Sequence, residues 1–257
     1  MKLDDIIITR TILQRFMREF QEYLDVDVAI AGAGPSGLVA ALYLAKSGRK
    51  TAVFERRTSI GGGMWAGGMM YPVIVVQEEA KHILEECNID LREEEKGYWS
   101  GNAVEAVVKL GSAAIDAGVK IFNGITVEDV LLDEKNRVNG FVVNWSAVDL
   151  AGLHVDPLSI RARFCIDATG HSAEICSIVK RKIKPKQGPL SREIGEHSMR
   201  ASLGEKEVVD NTMEVYPGLY TVGMCANAVA GAHRMGPIFG GMLLSGKKAA
   251  EMILKKL

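Results

Sequence analysis

The stretch DVAIAGAGPSGLVAALYLAKSGRKTAVFE, residues Asp27 to Glu55, decides the fold. A short apolar strand over Val26 to Ala31 leads into Gly32-Ala33-Gly34-Pro35-Ser36-Gly37, and an Ala/Leu-rich helix from Gly37 to Ser47 ends at Gly48. Thr51 to Phe54 follows as a second strand, which completes βαβ order. The GxGxxG glycines permit a tight turn, close approach of backbone to a pyrophosphate and tight helix packing, while the helix N-terminus offers free N–H groups and a favourable dipole. Glu55, eighteen residues after Gly37, supplies a carboxylate for the two ribose hydroxyls of a dinucleotide. A 2′-phosphate would be repelled there, although neighbouring Arg56 weakens that exclusion. A glycine-rich structural turn beside a surface glutamate is the plain alternative.

Working outward, Ile8, Ile12, Leu13, Phe16, Phe20 and Leu24 recur at helical spacing, so an amphipathic packing helix precedes the first strand. Past Glu55, Gly61-Gly62-Gly63 and Gly67-Gly68 make a second bare loop, suited equally to close ligand approach and to a hinge. Ala80 to Glu86 and Ala103 to Ala117 read as helices, and Val119 to Phe122 as a strand. Val127 to Leu132 and Val138 to Trp145 flank the polar turn Asp133 to Arg137, an antiparallel hairpin within the parallel scheme. Ile160 to Asp167 returns as a strand ending in Ala168-Thr169-Gly170. Lys180 to Asp210, polar and weakly periodic, reads as a surface loop or mobile segment. Leu219 to Val222 is a last strand and Met242 to Leu257 a closing helix. The expectation is one dinucleotide-binding domain over residues 1–257: an α/β, FAD/NAD(P)-binding Rossmann-like three-layer fold with an antiparallel hairpin insert.

Composition narrows the function class. With 31 basic against 32 acidic residues the net charge is −1, which leaves no electrostatic footprint for nucleic acid or an anionic membrane. Val28 to Ala45 is uncharged, but its glycines and proline fit a strand-turn-helix, not a membrane span. Charges at Arg10, Arg15, Arg18 and Glu19 break up any export signal, and Cys87, Cys165, Cys176 and Cys225 have neither disulfide nor zinc spacing. A cytoplasmic protein with reduced thiols is expected.

The order of GxGxxG, acid, glycine loop, hairpin and Ala-Thr-Gly resembles the flavoprotein variant of this fold. Such chains usually end with a strand and a Gly-Asp that holds the flavin ribityl chain. Here Pro217 to Gly223 is followed by Met224, so FAD loses ground. An FAD-dependent oxidoreductase is the second hypothesis and a non-catalytic dinucleotide-sensing subunit the third. Asp156-Pro157, Asp167-Ala168-Thr169-Gly170-His171 and His233-Arg234-Met235-Gly236-Pro237-Ile238-Phe239-Gly240-Gly241-Met242 make the resemblance specific. From its N-terminal helix to its C-terminus the chain resembles the thiamine thiazole synthase family.

That resemblance implies an enzyme that consumes NAD as co-substrate, releases nicotinamide, and joins the ADP-ribose part to glycine and sulfur in an ADP-linked thiazole carboxylate. It implies iron(II) held by Asp156 and His171, with Asp156 reaching into a neighbouring subunit's site, and Arg234 on the glycine carboxylate. It adds Ser36, Glu55, Arg56, Gly63, Val127 and Met224 to the Gly32, Gly34 and Gly37 cradle, with His154, Val155 and Asp156 contributed by a neighbour. It also implies a homo-oligomer, an octamer, with shared sites. Where the self-sacrificing branch carries a sulfur-donating cysteine, this chain has His154. Imidazole has no sulfur to give, so the resemblance is to the sulfide-dependent, multiple-turnover branch, and His154 becomes a proton shuttle. His233 is given no role. From the residues alone, a structural histidine and an Asp-Pro turn stay open for the proposed metal pair, and a structural salt bridge for Arg234.

Overall fold

A computed structural model describes residues 2–257. The chain opens with α1 (Asp5–Glu22), whose first turn is capped by Asp4 accepting from the Ile6 and Ile7 N–H groups. The βαβ unit follows as β1 (Asp25–Ala31), α2 (Pro35–Lys46) and β2 (Thr51–Glu55). A single turn of 3-10 helix at Gly62–Ala66 leads to β3 (Val73–Gln77), α3 (Glu78–Glu85), β4 (Leu91–Glu95), β5 (Tyr98–Asn102) and α4 (Ala103–Asp116). Then come β6 (Lys120–Asn123), the hairpin β7 (Ile125–Leu132) and β8 (Val138–Trp145), α5 (Ser146–Leu150) and β9 (Leu158–Asp167). The last part comprises α6 (Glu174–Ile183), α7 (Ala201–Asp210), β10 (Glu214–Tyr216), β11 (Leu219–Thr221), α8 (Met224–Ala230) and α9 (Gly240–Leu254).

The main sheet runs β10-β11-β9-β1-β2-β6, and all its neighbours are parallel except β10 with β11. One edge of β9 is divided. Residues Leu158 to Arg161 pair antiparallel with β8, and Cys165 to Asp167 pair parallel with β11. The hairpin therefore branches from the parallel sheet at the start of β9, in agreement with the sequence pattern. Its turn is held by the Asp133 carboxylate, which accepts from the N–H groups of Lys135 and Arg137 at 2.9 Å each.

Strand periodicity explains the three layers. Val28 and Ile30 of β1 and Phe164 and Ile166 of β9 point into a core with α2, α4 and α9. Alternate residues Ala29 and Ala31 of β1 and Cys165 of β9 point into an opposite core with α6, α8 and the hairpin. Over Val28 to Ala31 and Phe164 to Ile166 both faces are dry and the chain reads as continuous apolar runs, whereas Ser159, Arg161 and Arg163 in the first half of β9 are exposed.

Apart from the short elements α5, β10 and α8, which the sequence reading omits, the structure departs from the sequence expectations in three places. Lys180 to Asp210 is not one loop: it contains the end of α6, a short 3-10 turn at Pro189–Ser191 and α7. Its apolar positions are too sparse to show a helical period, yet Leu190, Gly204 and Val208 are buried by packing against distant elements. The N-terminal helix packs with only its C-terminal half: Phe20 is buried and Phe16 stacks on it, whereas Ile6, Ile7, Ile12, Leu13 and Met17 are exposed. A separate antiparallel sheet, β3-β5-β4, is absent from the sequence expectations: Val73 to Val76 is a β-branched run that a strand reading can find, but its distal strand, Arg92 to Glu95, is a run of charges rather than an alternating pattern. Among the described residues no helix is long and apolar enough to cross a membrane.

Candidate active site

A cavity of about 590 Å³ lies beyond the C-terminal ends of β1, β2 and β9, within the ~300–1,000 Å³ usual for small-molecule sites. That is where an open parallel sheet leaves a crevice between connections that leave on opposite faces.

At one end the wall is backbone. Gly32, Gly34 and Gly37 do three different jobs. At Gly32 φ is +100°, and a Cβ would sit 2.5 Å from the Ala168 carbonyl oxygen. At Gly37 a Cβ would overlap the Gly32 carbonyl oxygen, so this glycine serves helix packing, and it does not line the cavity. Around Gly34 nothing lies within 4 Å of an added Cβ. It faces the cavity as the N-cap of α2, and no side chain caps that helix. The first N–H groups of α2 are thus left for a ligand.

Glu55 is buried on the same wall. Its two carboxylate oxygens accept from Ala33 N–H at 2.8 Å and Arg57 N–H at 2.9 Å, which fixes the group while leaving lone pairs for ribose hydroxyls. Arg56 lines the cavity with its guanidinium 2.6 Å from Glu174, so much of its charge is already answered within the chain. Ser36, Gly63, Val127 and Met224 are also in the wall. Met224, buried, stands at the start of α8 where a flavoprotein would carry its ribityl-binding acid.

The other end is made of side chains on connecting segments. The Asp167 carboxylate, fully buried, accepts from Thr169 N–H at 3.0 Å, Thr169 Oγ1 at 2.6 Å and Cys176 N–H at 2.9 Å. Thr169 Oγ1 in turn accepts from Glu174 N–H at 2.8 Å. These bonds define the turn that carries His171 to the cavity. The His171 Nδ1 lies 2.7 Å from a Glu196 carboxylate oxygen. Nothing in the sequence singles out Glu196, which lies in the polar, weakly periodic stretch before α7.

Arg234 lines the cavity, exposed, with no carboxylate at ion-pair distance among the described residues. The structural salt bridge left open for it is therefore not formed within the chain. Its neighbour His233 is structural: it hydrogen-bonds Glu207 through both its backbone N–H (2.9 Å) and Nδ1 (3.1 Å).

His154, Val155 and Asp156 lie on an exposed segment between α5 and β9 and contribute nothing to their own chain's cavity. The single chain therefore does not bring Asp156 and His171 together at this cavity. Among the described residues, three or more metal-ligating groups converge only at Asp167, Cys176 and Cys225. That cluster is fully buried, and its carboxylate is already engaged by protein donors. Burial pushes the Cys176 thiol up to about 12 and raises Cys165 and Cys225 as well. All four cysteines are buried, and none lines the cavity.

Comparisons with known proteins agree with this architecture. The profile of the Thi4 family matches residues 9–239. The thiamine thiazole synthase of Methanococcoides burtonii is 54% identical over 100% of both chains, and that of Pyrococcus horikoshii 53% over 99% of each. The crystal structure of Thermovibrio ammonificans THI4 superposes with a TM-score of 0.96 at 49% identity, covering 100% of this chain and 99% of that one. The match spans the glycine cradle, the hairpin, the His171 turn and the Arg234 loop alike, and the chain belongs to the Thi4 family.

Proposed function

We propose that the protein is a sulfide-dependent thiazole synthase of thiamine biosynthesis, which builds an ADP-linked thiazole carboxylate from NAD, glycine and sulfide with iron(II) and releases nicotinamide. The observation that carries this reading is the continuity of one cavity from the Gly34 and Glu55 cradle to His171 and Arg234, with no cysteine in its wall. The glycine cradle holds the pyrophosphate and Glu55 the adenosine ribose. Arg234, whose guanidinium has no ion-pair partner among the described residues, presents a planar fork to the glycine carboxylate, which fixes the amine against the sugar carbon left when nicotinamide departs.

Iron(II) suits the donor set, because His171 offers an imidazole nitrogen at the cavity and a sparse histidine-carboxylate set leaves positions for substrate and sulfide. Held there, it would supply a binding site for sulfide beside the sugar-derived carbonyl carbon. The second ligand, Asp156, comes from another copy of the chain together with His154 and Val155. The outward placement of that segment and the uncovered apolar half of α1 both support such a homo-oligomer, an octamer by resemblance. His154 carries protons between intermediates in this composite site. The buried thiols, held protonated by burial, support external sulfide as the sulfur source.

The test is an anaerobic assay with NAD, glycine, iron(II) and sulfide that follows product and intact protein mass together. Product in excess of enzyme at unchanged mass is expected, with His171→Ala and Asp156→Ala inactive. Product limited to one equivalent, made without sulfide and leaving the protein about 34 Da lighter, the mass of one hydrogen sulfide, would identify a cysteine donor instead. Stoichiometric FAD released on denaturation would overturn the dinucleotide assignment.

A further inference from the structure

Glu196 carries a carboxylate whose side chain is only 14% exposed. Both its oxygens face His171 Nδ1, at 2.7 and 3.0 Å, and among the described residues it makes no other hydrogen bond or ion pair. Sequestering a carboxylate costs free energy unless it is well partnered, so a single imidazole partner makes that ring the feature the site is organised around. An ionised carboxylate can only accept, which makes Nδ1 the protonated nitrogen. The other ring nitrogen, Nε2, makes no hydrogen bond among the described residues, on a side chain that lines the cavity and is half exposed.

The backbone on either side of Glu196 is pinned. Gly195 N–H donates to the Ala228 carbonyl and His197 N–H to the Ala232 carbonyl, both at 2.9 Å. Further along, Arg200 N–H donates to the Arg234 carbonyl at 2.8 Å, and Arg234 N–H returns to the His197 carbonyl at 3.3 Å. One short segment therefore holds the carboxylate against His171 and also fixes the backbone of Arg234.

We propose that Glu196 is the positioning residue of the metal site: it accepts the Nδ1 proton of His171, fixes the ring's orientation and tautomer, and leaves Nε2 as the metal-binding atom. The inference rests on the reading of His171 as a metal ligand. Outer carboxylates of this kind raise the basicity of a ligating imidazole and remove the rotational freedom that binding would otherwise have to freeze.

The experiment measures iron(II) binding by anaerobic equilibrium dialysis of the purified, fully assembled protein for wild type, His171→Ala, Glu196→Leu and Glu196→Gln. Solid-state ¹⁵N NMR of histidine-labelled, metal-free protein reads the ring tautomers in parallel. The chain has five histidines, and His171→Ala assigns the relevant signals. Metal-free wild type should show His171 with Nδ1 protonated and Nε2 bare. Glu196→Leu should lose that preference and bind iron(II) about 10–100-fold more weakly. Glu196→Gln, whose amide carbonyl still accepts a proton, should keep the tautomer and recover most of the affinity. Wild-type affinity and tautomer in Glu196→Leu would overturn the proposal while leaving His171 a ligand, and so would a Gln variant as weak as Leu. Undiminished binding by His171→Ala would remove the metal reading itself, and the role of Glu196 with it.

Discussion

The two ends of the cavity are built by different means. The end with the glycine cradle comes from contiguous chain, β1, the glycine turn, α2 and β2, and its working parts are backbone N–H groups and one buried carboxylate. The other end comes from three segments far apart in sequence: the turn after β9 and the loop before α9 present the exposed side chains of His171 and Arg234, and the stretch around Glu196 backs His171 with a mostly buried carboxylate. A phosphate is recognised by geometry that a short strand-turn-helix makes by itself. A reaction centre needs several side chain types at one point, and only long-range packing assembles them.

Substitutions in the first end should separate folding from binding. The largest effect is expected for Gly37→Ala, whose new methyl meets the Gly32 backbone. Overpacking against a main chain that cannot retreat should cost about 3 kcal/mol of stability, read as a lowered urea midpoint. Glu55→Ala comes next. Loss of charge-assisted bonds to ribose should weaken NAD binding by about 1.5–3 kcal/mol, measured by calorimetry. It also orphans the Ala33 and Arg57 N–H groups, so a modest loss of stability accompanies it.

A pH effect belongs to the second end. Glu205 on α7 accepts from Gly241 N–H at the start of α9, next to the loop that carries Arg234. Burial pushes it up to about 7 from an ordinary 4.5, with nearby Glu79 acting in the same direction and Gly241 N–H and Gln77 opposing. The folded protein then binds more protons than the unfolded chain between those values. Stability should therefore fall as pH rises from about 4.5 to about 7 and level off above, by on the order of 2 kcal/mol. Chemical denaturation at pH 5 and pH 8 checks this, because Glu205→Gln should flatten the difference. The smallest effect sharpens the contrast most. Gly34→Ala has open space for its methyl, so stability should stay near wild type while NAD affinity drops about tenfold, or ~1.4 kcal/mol. Equal loss of stability at Gly34 and Gly37 would erase the distinction between ligand approach and packing.

The sequence itself is informative where function depends on local geometry. The GxGxxG turn, the carboxylate of Glu55, the hairpin around Asp133 and the absence of an acid at Met224 are each readable within a few residues, since spacing along the chain dictates backbone conformation there. The family resemblance singles out His171 and Arg234 by their motifs, and both line the same cavity. Only the tertiary structure decides that Gly37 serves packing and not the ligand, and that α1 leaves most of its apolar residues uncovered. It alone decides that a polar stretch with the pattern of a loop carries α7 and the partner of His171. The physical reason is the range of the contacts. A turn closes on neighbouring residues, whereas Glu196 is placed by hydrogen bonds to carbonyls more than thirty residues later in the chain, and no local pattern of charge or hydropathy encodes such a partner.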